Sequence, residues 1–173
     1  LQVVHKPLQD IPLIAAITSP VFGFTADELA LMRSQNRFAD IFGLLTASDS
    51  EKAAEFVKLL STMRQEARLL SLSQLLHRIF CVTGFDNVYA AMRDGQIRTD
   101  NLRAVCQIVS DFERSTRRDL NQFLSYLDLM EADGLRISGD EKQAGAVTIM
   151  SIHTSKGLEF PVVFLAALSR RFN

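Results

Sequence analysis

Val147-Thr-Ile-Met-Ser-Ile-His-Thr-Ser-Lys-Gly-Leu-Glu-Phe-Pro-Val-Val-Phe-Leu165 sets a polar turn between two apolar runs, and the reading of the whole chain turns on it. Val147 to Ile152 and Phe160 to Leu165 are rich in β-branched and aromatic residues without clean alternation, which predicts two strands covered on both faces, as in parallel α/β sheets. Between them His153, Thr154, Ser155, Lys156, Gly157 and Glu159 bring together a titratable ring, two hydroxyls, a cation, a permissive backbone position and a carboxylate. Ligands of open α/β sheets bind beyond the strand ends, so this turn is the expected site.

Upstream the pattern is helical. Asp10 to Ser19 reads as a short helix with Asp10 as N-cap, Pro12 in the first turn and Pro20 preventing continuation. Thr25 with Glu28 is a capping box opening a helix whose core stripe is Leu29, Leu31 and Met32 and which fades near Asn36. A short helix over Phe38 to Thr46 is followed by a fresh start at Ser48 to Glu51. There Ala53, Phe56, Val57, Leu60, Met63, Ala67 and Leu70 recur at helical spacing and predict the longest helix. Ser71 with Gln74 starts another, carrying Leu72, Leu75, Leu76, Ile79 and Phe80 inward until Gly84 stops it. A small helix from Phe85 to Met92 precedes Ile97 to Arg114, with Leu102, Val105, Cys106, Val109 and Phe112 on one face. The last predicted helix is Asp119 to Ala132, with Leu120, Phe123, Leu124, Leu127 and Met130 inward. Residues 133 to 145 form a polar, glycine-containing linker, after which helical periodicity gives way to the strand pattern.

A chain of 173 residues that is 47% hydrophobic can bury a real core. Its 19 basic and 20 acidic side chains leave a net charge of -1, so the chain as a whole lacks the electrostatic footprint of a nucleic-acid binder and any such contact must be local. The densest basic cluster is Arg114, Arg117 and Arg118. Cys81 and Cys106 lie in helical apolar patterns and are expected to be buried free thiols, which points to a reducing cytoplasm. His77 reads as a core-edge residue of its helix. No apolar run reaches the roughly 18 residues of a membrane span, no signal peptide opens the chain, and the start at Leu1 points to a piece of a longer protein.

Ser151-Ile-His-Thr-Ser-Lys-Gly-Leu-Glu-Phe-Pro-Val-Val-Phe164 resembles motif V of the UvrD/Rep-type superfamily 1 DNA helicases, which reads roughly T-x-H-x-x-K-G-L-E-[FW]. The seven positions from Lys156 to Val162 agree, with His153 correctly spaced before them. Asp10-Ile-Pro-Leu13, Ser19-Pro-Val-Phe-Gly-Phe24, Asp27-Glu-Leu-Ala30 and Arg170-Arg-Phe-Asn173 narrow the likeness to the AddA-type ATP-dependent helicase/nuclease subunits, relatives of RecB. The resemblance implies a mainly α chain: a multi-helical 2B-like insertion subdomain over residues 1 to 132, a linker over 133 to 145, and a strand-turn-strand fragment of the RecA-like 2A domain over 146 to 173.

It further implies roles. Ser151 and His153 would lie against single-stranded DNA, Gly157, Glu159 and Lys156 would face nucleotide, and Arg114, Arg117 and Arg118 would lie near duplex DNA. The parent would be a cytoplasmic, ATP- and Mg²⁺-dependent helicase with exonuclease activity, acting in double-strand break repair and recombination with an AddB-like subunit. Serine stands at 151 where the family commonly has threonine, and Thr154 stands where AddA-like chains often carry a basic residue. The chain contains no G-x-x-x-x-G-K-[ST] phosphate loop, no Walker-B acidic pair, no arginine motif VI and no nuclease carboxylates, so it holds no catalytic or metal-ligating residue of its own and is expected to be inactive alone. The alternatives are a UvrD/Rep-type helicase without nuclease, and a non-catalytic helical interaction module.

Overall fold

The computed structural model describes residues 1–115, 119–132, 147 and 149–166. The chain forms two units, Leu1–Asp140 and Glu141–Asn173. The described residues of the first fold into nine α-helices: α1 (Gln2–His5), α2 (Asp10–Ile17), α3 (Ala26–Gln35), α4 (Ile41–Ala47), α5 (Glu51–Glu66), α6 (Leu72–Thr83), α7 (Phe85–Ala90), α8 (Gly95–Ser115) and α9 (Leu120–Ala132). The expectation of a mainly helical chain holds.

Local capping explains where these helices begin and end. At α3 the Thr25 hydroxyl accepts from the Glu28 N–H at 3.2 Å while the Glu28 carboxylate accepts from the Thr25 N–H at 2.6 Å. Ser71 and Gln74 repeat the box at α6, at 3.4 and 3.0 Å. Asp40 caps α4 through the Gly43 N–H at 2.7 Å. Each such cap is worth about 1 kcal/mol, because it satisfies amides that have no partner inside the helix. Gly84 closes α6 at φ +60, a conformation that costs glycine little, and its N–H donates to the Phe80 carbonyl at 2.8 Å.

Several expectations need correction. Asp10 is the first residue of α2, with Gln9 at the cap position. Its carboxylate accepts from the Ile41 N–H at 2.9 Å and pairs with Arg33 at 3.5 Å, so it serves α4 from 31 residues away. Leu31 is exposed, and only Met32 of the α3 stripe is fully buried. The longest helix among the described residues is α8, with 21 residues against 16 in α5. Helix α1 carried no sequence signal, yet Val4 is buried and its carbonyl accepts from Arg64 Nε at 3.2 Å.

Two hydrophobic clusters organise the helices. Leu13, Ile17, Phe24, Ile41, Leu45 and Phe56 lie at the heart of the first, built from α1 to α5. Phe22 and Phe56 meet edge to face at 4.9 Å in it. Lys52 closes its rim, donating to the Gly23 carbonyl at 2.7 Å and pairing with Glu28 at 3.1 Å, with its ammonium 4.4 Å from the Phe24 ring centre. The second cluster joins α6, α8 and α9 through Leu72, Leu76, Val109, Phe112 and Phe123. Burying a side chain of this size contributes roughly 1.5 to 3 kcal/mol, which far exceeds helix propensity. Glu113 of α8 adds a polar tie, accepting from the Ser73 N–H at 3.2 Å and the Ser73 hydroxyl at 2.5 Å. Partial burial pushes the Glu113 carboxyl up, but hydrogen bonds from Ser73, Ser71 and the Leu72 amide outweigh it and hold the group below its ordinary value.

Cys81 and Cys106 are exposed, contrary to the expectation of buried thiols. Each follows a packed residue, Phe80 or Val105, by one position. One residue is a turn of about 100° around an α-helix, enough to carry the thiol off the packed face. His77 is likewise exposed rather than at a core edge.

In the second unit the two expected strands are absent among the described residues, where turns, bends and irregular backbone take their place. Val147, Ile149, Val162 and Phe164 stand exposed, at 89, 95, 70 and 90%. The physical reason is that a strand is made by its neighbours: without adjoining strands to accept and donate backbone hydrogen bonds, two short apolar segments are not stable as a sheet. The expected linker over 133–145 lies outside the described residues.

Candidate nucleic-acid interface

The polar stretch between the apolar segments folds into one compact turn. The Ser155 N–H donates to the Ser151 carbonyl at 3.1 Å, Lys156 N–H to His153 at 3.4 Å, and Leu158 N–H to Ser155 at 3.0 Å. Side chains reinforce it. The Thr154 N–H donates to Ser151 Oγ at 3.2 Å, the two hydroxyls lie 2.7 Å apart, and the Ser155 hydroxyl donates to the Ile152 carbonyl at 2.8 Å. Serine and threonine readily bond their own nearby backbone, so this turn holds its shape without a sheet around it. Gly157 ends it at φ +83, and a Cβ there would meet nothing within 4 Å. Glycine is therefore required by backbone conformation and not by crowding.

Ser151, His153, Lys156, Gly157 and Glu159 are all exposed. Among the described residues no ion pair joins Lys156 to Glu159, so the ammonium and the carboxylate both present their charge to solvent. A hydroxyl, an imidazole and an ammonium within six residues can donate to phosphate oxygens, and Glu159 can accept from a sugar hydroxyl. Thr154 belongs with them: its hydroxyl orients that of Ser151. Two hydroxyl residues three apart are the signal for such a turn, although by the family pattern Thr154 stands out only as a departure.

The other expected contacts are in the helical unit. Arg114 is exposed near the end of α8, 3.6 Å from Asp111, a pair so open to water that it contributes little stability. Arg117 and Arg118 lie outside the described residues.

The profile of the UvrD-like helicase C-terminal domain matches residues 21–172, which takes in α3 to α9 and the whole polar turn. The chain belongs to that family. Three relatives share one name. This UvrD-like chain is 35% identical to an ATP-dependent helicase/nuclease subunit of Limosilactobacillus reuteri over 197 aligned residues, covering all of this chain and 14% of that protein. It is 36% identical to the protein of the same name from Heliobacterium modesticaldum, again over the whole chain and 14% of the relative. For that of Ruminiclostridium cellulolyticum the values are 33%, the whole chain and 15%. The UvrD-like chain thus spans about one seventh of the length of these relatives.

Proposed function

We propose that the chain is an internal segment of an AddA-like ATP-dependent helicase/nuclease subunit. Residues 1 to 132 would serve as its 2B-like insertion subdomain, 133 to 145 as the linker, and 146 to 173 as the part of the RecA-like 2A domain that carries motif V. In that setting the segments flanking the turn become strands of a sheet completed by the rest of 2A. Ser151 and His153 hold phosphates of single-stranded DNA, and Gly157, Glu159 and Lys156 face nucleotide. Arg114, Arg117 and Arg118 lie toward duplex DNA.

The observation that carries this reading is the exposed, self-bonded turn over Ser151 to Leu158, which keeps phosphate donors and a carboxylate within nine residues of a UvrD-like helicase domain. Neutral or weakly cationic donors suit a motor, which must hold the strand and release it at each step. One short turn touching both ligands can report the state of one site to the other. The relatives' names favour a helicase with nuclease over a UvrD/Rep-type helicase lacking it, and over a non-catalytic helical module.

The open space around Gly157 and the exposed Glu159 fit the edge of a bound nucleotide. ATP, when bound in the parent, supplies the free energy of phosphoryl transfer. Among the described residues no group of three His, Cys, Asp or Glu side chains is placed to hold a metal, and Mg²⁺ enters the proposal as the ion that accompanies ATP in the parent. No helix among the described residues is long and apolar enough to cross a membrane. A cytoplasmic site of action, a role in double-strand break repair and recombination, and pairing with an AddB-like subunit complete the proposal.

The test is His153→Ala in the full-length protein, read as ATPase rate against single-stranded DNA concentration, with nucleotide affinity and thermal midpoint measured on the same preparation. Losing a hydrogen bond to a charged phosphate costs about 1.5 to 3 kcal/mol, a roughly ten- to hundredfold loss in the DNA-dependent step. Nucleotide affinity and midpoint should hardly move, since His153 is exposed. Unchanged stimulation and unchanged DNA affinity would make His153 a boundary residue and remove the reading.

A further inference from the structure

Two chemically capable side chains lie outside the turn. His77 and Cys81 sit four residues apart on α6, hence one above the other on the same helix face, and both are exposed. Cys81 Sγ is 3.4 Å from His77 Nε2. Tetrahedral Zn²⁺ takes a thiolate sulfur at about 2.3 Å and an imidazole nitrogen at about 2.0 to 2.1 Å, which at the tetrahedral angle sets the two donor atoms about 3.6 Å apart. The pair is therefore within about 0.2 Å of the bite of such an ion, a difference that a small side-chain rotation absorbs.

We infer that His77 and Cys81 form a two-donor site for a thiophilic divalent cation of the Zn²⁺ class, with water in the remaining positions. Sulfur and imidazole select this class over Mg²⁺ and Ca²⁺, which prefer oxygen. Binding forms one metal–sulfur and one metal–nitrogen bond, and the thiol proton passes to solvent. No electron changes hands. The neighbouring cation, Arg78, is engaged by Glu66 at 3.0 Å, which tempers its repulsion of a metal. No third His, Cys, Asp or Glu completes the set among the described residues, so the site is open and exchangeable and not a closed structural centre. Cys106 on α8 is an internal control: it is also exposed, but among the described residues no histidine lies within hydrogen-bond distance of its thiol.

The 173-residue chain, kept reduced, is titrated with Co²⁺, whose bond to a thiolate gives a charge-transfer absorption in the near ultraviolet. The band should appear with the natural chain and with Cys106→Ser, vanish in Cys81→Ser, and be lost or moved to much higher cobalt in His77→Gln. Added Zn²⁺ should quench it. A readout that needs no variant is alkylation followed by peptide mass spectrometry, in which Zn²⁺ should slow the reaction of Cys81 and leave Cys106 unchanged. No band in the natural chain, a band indifferent to His77→Gln, or equal slowing of both thiols would overturn the proposal, leaving the 3.4 Å approach as a simple thiol–imidazole hydrogen bond.

Discussion

Replacing Glu113 by alanine should destabilise the helical unit by about 2 to 2.5 kcal/mol, because this carboxylate completes the start of a helix to which it does not belong. Ser73 is the second residue of α6, and its N–H is one of the amides that α6 cannot satisfy internally. Glu113 takes that N–H at 3.2 Å and the Ser73 hydroxyl at 2.5 Å. Hydrogen bonds to a charged group contribute about 1.5 to 3 kcal/mol, partial exposure favours the lower end, and an anion at a helix N-terminus adds roughly 0.3 to 1 kcal/mol. Urea unfolding followed by far-ultraviolet circular dichroism is the assay, and with a slope of about 1 to 3 kcal/mol per molar the midpoint should fall by roughly 1 M. Glu113→Gln, which keeps an acceptor but loses the charge, should fall between the two. The folded carboxyl titrates below its ordinary value, so its contribution is complete above the unfolded value and fades as pH falls through the folded one. The gap between the natural chain and Glu113→Gln should therefore narrow on acidification from neutral pH. The reasoning fails if Glu113→Ala unfolds within about 0.5 kcal/mol of the natural chain, or if Ser73→Ala and Glu113→Ala add without coupling.

Hydrogen exchange on the 173-residue chain should find strong protection in α5, α6 and α8 and almost none over 149–166, since the latter segment has no ladder to hide its amides. Equal protection in both would contradict the account of the missing strands. Gly157→Ala places a Cβ at φ +83, where a left-handed backbone costs about 1 to 2 kcal/mol, so on the proposed function the DNA-stimulated ATPase of the full-length protein should drop roughly tenfold with only a small shift in thermal midpoint. Full activity in that variant would mean that the turn's shape does not matter to the site.

By itself the sequence determined what depends on neighbours within a few residues. The boxes at Thr25 and Ser71 and the stop at Gly84 were legible because capping joins residues three or four apart. The chemistry gathered in the polar turn was legible because it is contiguous, from Ser151 to Glu159. Tertiary structure alone decided what depends on distant partners. Asp10 looks like the cap of its own helix, yet Ile41 and Arg33 recruit it elsewhere. Glu113 looks like one more acid on a helix surface until α6 presents its amides to it. Apolar periodicity put Cys106 on the packed face, but only the rotation at which α8 meets its neighbours fixes which edge of that face reaches water. The segments around the turn show the same limit most sharply. Their composition is that of buried strands, but a strand's hydrogen bonds belong to the chain beside it, and no stretch of sequence carries its own neighbour.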